Sequence, residues 1–172
     1  IFNSGRSNSI YVKYSSSGVL DTSFGTSGVA QIDFDGAGTG YHYCTAAAFD
    51  ASGKLIVGGT AYIDSVQHVA FARLDTNGVI DTTFGTDGML TTTAIGTYAT
   101  VAAMALQPVS SKIIATGYYT DTAPDVVSPF VVSLTDGGAV STTLLTRVSE
   151  DSSHWDWISG LDCDTNGNIY IV

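Results

Sequence analysis

The segment YSSSGVLDTSFGTSGVA at residues 14–30 returns as RLDTNGVIDTTFGTDGML at 73–90, and this recurrence decides the fold. Gly18, Asp21, Phe24, Gly25 and Gly28 map onto Gly78, Asp81, Phe84, Gly85 and Gly88, each by a shift of 60. A degraded third copy, LTDGGAVSTTLL at 134–145, keeps Gly138 but has Ser141 for the Asp and Leu144 for the Phe. The stretches between also repeat, as TAAAFDASGKLIVGG (45–59), AAMALQPVSSKIIATG (102–117) and SGLDCDTNGNIYIV (159–172). A fixed period of this size is the signature of a repeat architecture.

One period reads as four short strands. The first is Ala-rich (45–49 or 102–106) and the second follows a tight turn (54–58 or 112–116). The third alternates apolar and polar residues (69–74 or 130–134), and the fourth follows the DTxFGTxG turn (29–34 or 89–93). A sheet this small cannot bury both faces alone, so it must stack on its neighbours. Parallel β-helix coils are shorter and need no paired hairpins, whereas sandwich domains need roughly 100 residues per unit. Four-stranded antiparallel blades in radial array fit, with small residues (Ala46, Ala47, Ala48, Ala102, Ala103, Gly160) where inner strands crowd the axis. The expected fold is therefore all-β, a partial β-propeller of about three units. Residues 1–43 supply outer strands and the first DTSFGTSG turn, 44–99 and 100–156 supply full blades, and 157–172 open a further blade.

The motifs GVLDTSFGTSG and GVIDTTFGTDG, with AMALQP and KIIATG downstream, resemble the delta-60 repeat of large, mostly exported bacterial proteins. The resemblance spans nearly the whole chain, is best in the second copy, and weakens in the third, which has lost DTxFG. It implies propeller-like blades and a scaffold, because the shared residues serve turns and packing. Slightly under three units cannot close a ring that needs at least about four blades. Further blades of the same polypeptide or neighbouring subunits are the expected partners; the missing initiating Met and the stop in mid-strand favour the first.

Composition narrows the function. Across 172 residues, 6 Lys+Arg against 16 Asp+Glu give a net charge of -10, which opposes binding to phosphate backbones, so no nucleic-acid partner is expected. No apolar run reaches bilayer length, so membrane insertion is not expected either. An acidic, Lys-poor, Ser/Thr-rich chain suits a secreted or cell-surface protein. Cys44 and Cys163 lack metal-ligand spacing, and a disulfide between them would have to join distant repeats.

Asp21 and Asp81 recur at a turn, where an Asp accepts backbone N–H groups just downstream. Phe24 and Phe84 are expected between neighbouring blades, and Gly25, Gly28, Gly85 and Gly88 in backbone conformations that a Cβ resists. Asp33 with Asp35, or Asp121 with Asp125, could hold Ca²⁺, but no D-x-D-x-D-G loop is present, so no metal or other cofactor is assigned. Asp162 and Asp164 beside Asn166 read as a hairpin turn. Ligand or partner contact is expected at the loops entering the innermost strand, at Tyr41, His42 and Tyr43 in one copy and His154, Trp155, Asp156 and Trp157 in another. Aromatic faces beside carboxylates suit a sugar ring, whereas a Trp can equally replace the lost Phe in a blade core.

The leading expectation is a non-catalytic scaffold for adhesion or extracellular assembly through protein or glycan contacts. Two alternatives stand beside it, a propeller glycan hydrolase or lyase using His42 or His154 with Asp156 or Glu150, and a Ca²⁺-stiffened carbohydrate-binding module. The three histidines lie in dissimilar settings, with His68 placed between strands, and no nucleophile or phosphate-loop motif accompanies them. If Trp155 or Trp157 fills a core, replacing the pair lowers stability by about 3–5 kcal/mol; if they bind sugar, glycan affinity falls and the fold holds.

Overall fold

The structure, a computed structural model, describes residues 8–36, 40–120, 127–144 and 158–172. These residues form antiparallel sheets without helix, in strict up-and-down order. The first sheet pairs β1 (Ser9–Val12) with β2 (Val29–Ile32). The second runs β3 (His42–Phe49), β4 (Leu55–Ile63), β5 (Val66–Leu74) and β6 (Met89–Thr92). The third runs β7 (Thr97–Gln107), β8 (Lys112–Thr120), β9 (Val127–Leu134) and β10 (Val140–Leu144). The last pairs β11 (Leu161–Cys163) with β12 (Ile169–Ile171). The two complete sheets are blades of the propeller type, with β3, β7 and β11 packed successively along the inner side.

The second sheet is buried on both faces, and its side chains divide by strand alternation. Ile56, Val69 and Phe71 join Phe84 against Ile113, Ala115, Phe130, Val132 and Leu134 of the third sheet. From the opposite face, Val57, Ala70, Ala72 and Leu74 meet Phe24, Ala30, Ile32 and Phe34 of the first. A sheet covered on both faces reads as a near-continuous apolar run, and LIVGG in β4 does so. A one-residue bulge at Thr45 opposes Gly59, where a Cβ would stand 1.9 Å from the Tyr43 carbonyl oxygen, so only glycine fits.

Neighbouring blades are tied by the repeated turn. The Gly25 N–H donates to the Asn77 carbonyl (2.7 Å), and Gly85 N–H to the Gly137 carbonyl (3.1 Å), each reaching the next blade's outer hairpin. Gly25 and Gly85 have φ of 61° and 56°, in the region that glycine adopts freely. Phe84, fully buried, sits beside Gly138 of the third sheet, as Phe24 sits beside Gly78 of the second. Arg73, only 2% exposed, completes the seam. It donates through Nε to Asp81 (2.7 Å), through Nη1 to the Asp136 carboxylate and carbonyl (2.6 Å each), and through Nη2 to Thr83 (2.8 Å). Its guanidinium carbon lies 5.2 Å from the Phe84 ring centroid, a cation–π contact. In the first sheet Lys13 stands in Arg73's place and pairs with Asp21 at 2.9 Å.

The structure departs from the sequence reading mainly at the strand ends: the inner strands start earlier, at His42 and Thr97, and the second strands run on to Ile63 and Thr120. The third strand starts at Val66, so His68 belongs to β5, opposite Ala61, and is not between strands. The hairpin extends because Asp64 and Ser65 supply a turn of positive φ and the Tyr62 hydroxyl donates to the Gln67 side chain (2.8 Å) across the pair. The fourth strands end at Ile32 and Thr92, short of Phe34 and Thr93. In the degraded copy the fourth strand begins at Val140, paired with Leu134, where the other copies make only an isolated bridge before the DTxFG excursion. Losing that excursion lets the hairpin close directly.

Phe84→Ala is expected to lower stability by about 3–5 kcal/mol, as emptying a buried aromatic site does. Arg73→Ala removes the hydrogen bonds to Asp81, Thr83 and Asp136 and is expected to cost less, about 2–3 kcal/mol, since Asp81 keeps Lys54 and the Asp136 carboxylate is 86% exposed. Urea titration at neutral pH checks both. Asp21 is held down to about 2 by hydrogen bonds from Ser23 and then Lys13. Asp81 is pulled below the usual carboxylate range, first by Lys54 and then by Thr83. Both are depressed in the folded state, so as pH falls below about 4 the unfolded chain takes up protons first. Stability is therefore fully present above about pH 4 and declines towards the folded value of about 2 at Asp21. Asp81→Asn is expected to lower stability at pH 7 and to flatten that decline, read as the urea midpoint against pH.

Candidate functional site

The chain crosses from one blade to the next through the segment that leaves β2 at Asp33 and enters β3 at His42. Strand alternation then sorts the predicted contact residues. Tyr41 and Tyr43 point outward, 48% and 53% exposed, while His42 turns inward with a fully buried ring. The three therefore do not share one surface. Tyr41 lines an open hollow of about 610 Å³ with Asp35, Gly40, Tyr62, Asp64 and Ser65, so the outward face does pair aromatic rings with carboxylates.

Beneath it, His42 Nε2 lies 3.3 Å from Asp33 Oδ1 and 3.7 Å from Asp35 Oδ1. The Phe34 ring meets the imidazole edge-on at 5.7 Å. The Gly40 N–H donates to Asp35 Oδ2 (2.6 Å), leaving Oδ1 turned towards His42. Sequence reasoning considered the two aspartates and the histidine separately; their convergence follows from the connection between adjacent blades, which spacing alone does not reveal.

His154, Trp155, Asp156 and Trp157 lie outside the described residues, as do Asp121, Asp125 and Glu150. Asp21 and Asp81 accept the Ser23 and Thr83 N–H groups at 3.1 and 3.2 Å. Their second oxygens carry the cation contacts of the seam, and the lysine and arginine spacing had not pointed to these. Asp164 accepts the N–H groups of Asn166 and Asn168 (2.9 and 2.8 Å) in the hairpin between β11 and β12. Cys44 and Cys163 are free thiols.

A further feature is the pair of open sheet edges. In the complete blades the second strand pairs with the third along β4–β5 and β8–β9. Among the described residues β12, a second strand, and β1, a third strand, lack that neighbour. Ile10, Val12 and Tyr14 are exposed along one edge and Ile169, Tyr170 and Val172 along the other. Exposed apolar edges of this kind are places where another strand adds.

Fold and edges together define a protein of stacked propeller blades. A family of β-propellers described as a domain of unknown function, DUF5122, matches residues 51–84, the stretch from the first hairpin of the second sheet through Phe84. No curated protein matches the chain. Tyr41→Ser and Tyr43→Ser are expected to lower stability by no more than about 1 kcal/mol by urea titration, since each ring is about half exposed.

Proposed function

We propose that this chain is a non-catalytic repeat scaffold of the delta-60 kind, exported or held at a bacterial cell surface. It serves adhesion or extracellular assembly by adding like blades at its open edges and by presenting its loop face to a protein or glycan. The observation that carries this reading is the complementarity of the two edges. β12 offers a second-strand edge, and β1 is the third-strand edge that such a blade takes.

The internal repeat supplies the register. Ile56 faces Arg73 and Val57 faces Ala72 in β4–β5. Carried onto the matching repeat positions, Tyr170 faces Lys13 and Ile171 faces Val12. That pairing brings Lys13, already beside Asp21, towards the Asp164 turn, as Arg73 Nη1 approaches Asp50 at 3.6 Å in the complete blade. A further repeat in the same polypeptide or a neighbouring subunit supplies the missing hairpin. The hollow beside Tyr41, with its carboxylates, supports glycan contact on the loop face.

Because the β12 edge matches the β1 edge, copies of the 172-residue chain are expected to pair at these edges head to tail. Light scattering after size exclusion is expected to show a mass that rises with concentration. Val12→Pro or Ile171→Pro, which removes an edge N–H, is expected to return the monomer. A monomer at every concentration, or an oligomer indifferent to both prolines, overturns the edge-completion account.

A further inference from the structure

We propose that Asp33, Asp35 and His42 form a binding site for one divalent first-row transition ion of the Zn²⁺ type. One ligand atom from each residue lies within 4.8 Å of the other two. Zn²⁺ holds imidazole nitrogen and carboxylate oxygen at about 2.0–2.2 Å, which at a tetrahedral angle sets ligand atoms about 3.4 Å apart. The Nε2 to Oδ1 distances of 3.3 and 3.7 Å bracket that spacing. An imidazole in the set selects this ion class, because Ca²⁺ and Mg²⁺ take oxygen ligands.

The second blade acts as an internal control on whether the fold itself needs these groups. Asp33 and Asp35 correspond through the repeat to Thr93 and Ile95, and His42 to Ala99, which precedes the next bulge. Ile95 and Ala99 are buried apolar residues of the main core. The position is thus filled well by hydrocarbon, and a buried imidazole facing carboxylates is not a requirement of the blade.

Nor does His42 complete a hydrogen-bond network, as a structural buried histidine normally does. Its Nε2 makes one long hydrogen bond, with Asp33 Oδ1 at 3.3 Å, and its contact with Asp35 is longer still, while Nδ1, turned away from the carboxylates, is buried with no hydrogen-bond partner. The cluster is nevertheless held in place. Phe34 packs on the ring, and the Gly40 N–H fixes the orientation of the Asp35 carboxylate. The Asp33 side chain remains 30% exposed against 7% for Asp35, which gives an ion a route in and leaves a coordination position for water or a partner's donor. The overall charge of -10 favours cation uptake at such a site.

The test is calorimetric titration of the 172-residue chain with zinc chloride, alongside calcium chloride. One Zn²⁺ per chain is expected, with Ca²⁺ binding far more weakly. His42→Ala and Asp33→Thr install the residues of the second blade and are expected to weaken Zn²⁺ by about 10-fold or more. Asp33→Asn, at the most exposed ligand, is the variant to use should His42→Ala fail to fold, with the metal-free melting temperature reporting the fold. Replacement of Zn²⁺ by Co²⁺ is expected to give the visible bands of a nitrogen- and oxygen-ligated ion, lost in Asp33→Asn. Absence of Zn²⁺ binding, Zn²⁺ binding unchanged in these variants, or Ca²⁺ bound as tightly as Zn²⁺ overturns the proposal.

Discussion

The contact on which the rest of this structure depends is the insertion of Phe84 between two sheets. A four-stranded sheet of short strands has two apolar faces and too few strands to hide either of them. In the second sheet, alternation sends Ile56, Val69 and Phe71 one way and Val57, Ala70 and Ala72 the other, so both faces need a neighbour. Phe84 reaches one neighbour directly. Phe24 arrives from the other side by the same device, and each is pinned by a glycine N–H bonded to the adjoining hairpin. The DTxFGTxG turn is thus a connector between blades as much as a turn within one.

Around that connector the polar groups gather on one guanidinium. Arg73 is almost wholly removed from water, and its donors are taken up by Asp81, Thr83 and Asp136, with Asp50 near by. Two of these partners lie in its own blade's turn and one in the next blade, so the guanidinium couples turn geometry to docking. Where Lys13 takes this place a single ion pair with Asp21 remains, more exposed and with less reach. A planar fork can bridge several acceptors at once, and an ammonium on a flexible stem does so poorly.

Much of this fold was legible because the chain repeats. The recurrence of Asp, Phe and paired Gly at a shift of 60 fixed the unit, and the length of the unit with its two hairpins fixed four strands. What was not legible has physical causes. The start of β5 is polar, with Gln67 and His68, so the strand is set by its hairpin partner and not by hydrophobicity. The fourth strand of the degraded copy forms directly because the missing turn no longer displaces it. Arg73 gave no signal, since its partners lie 8 and 63 residues away and the first and third copies place Lys13 and Ser133 at that position.

The candidate site was less legible than the fold. Tyr41, His42 and Tyr43 read as one aromatic cluster, yet strand alternation places the histidine inside and the tyrosines outside. Asp33 and Asp35 come to His42 only through the crossing between blades, a contact that no local spacing encodes. The account rests on the claim that neighbouring blades share one core and open together. Native-state amide hydrogen exchange measures this most directly, residue by residue. If the claim holds, the slowest amides of β4–β5 and β8–β9 exchange with one common opening free energy, and Phe84→Ala lowers it in both sheets. Separate opening energies, with the substitution felt in one sheet alone, would contradict it.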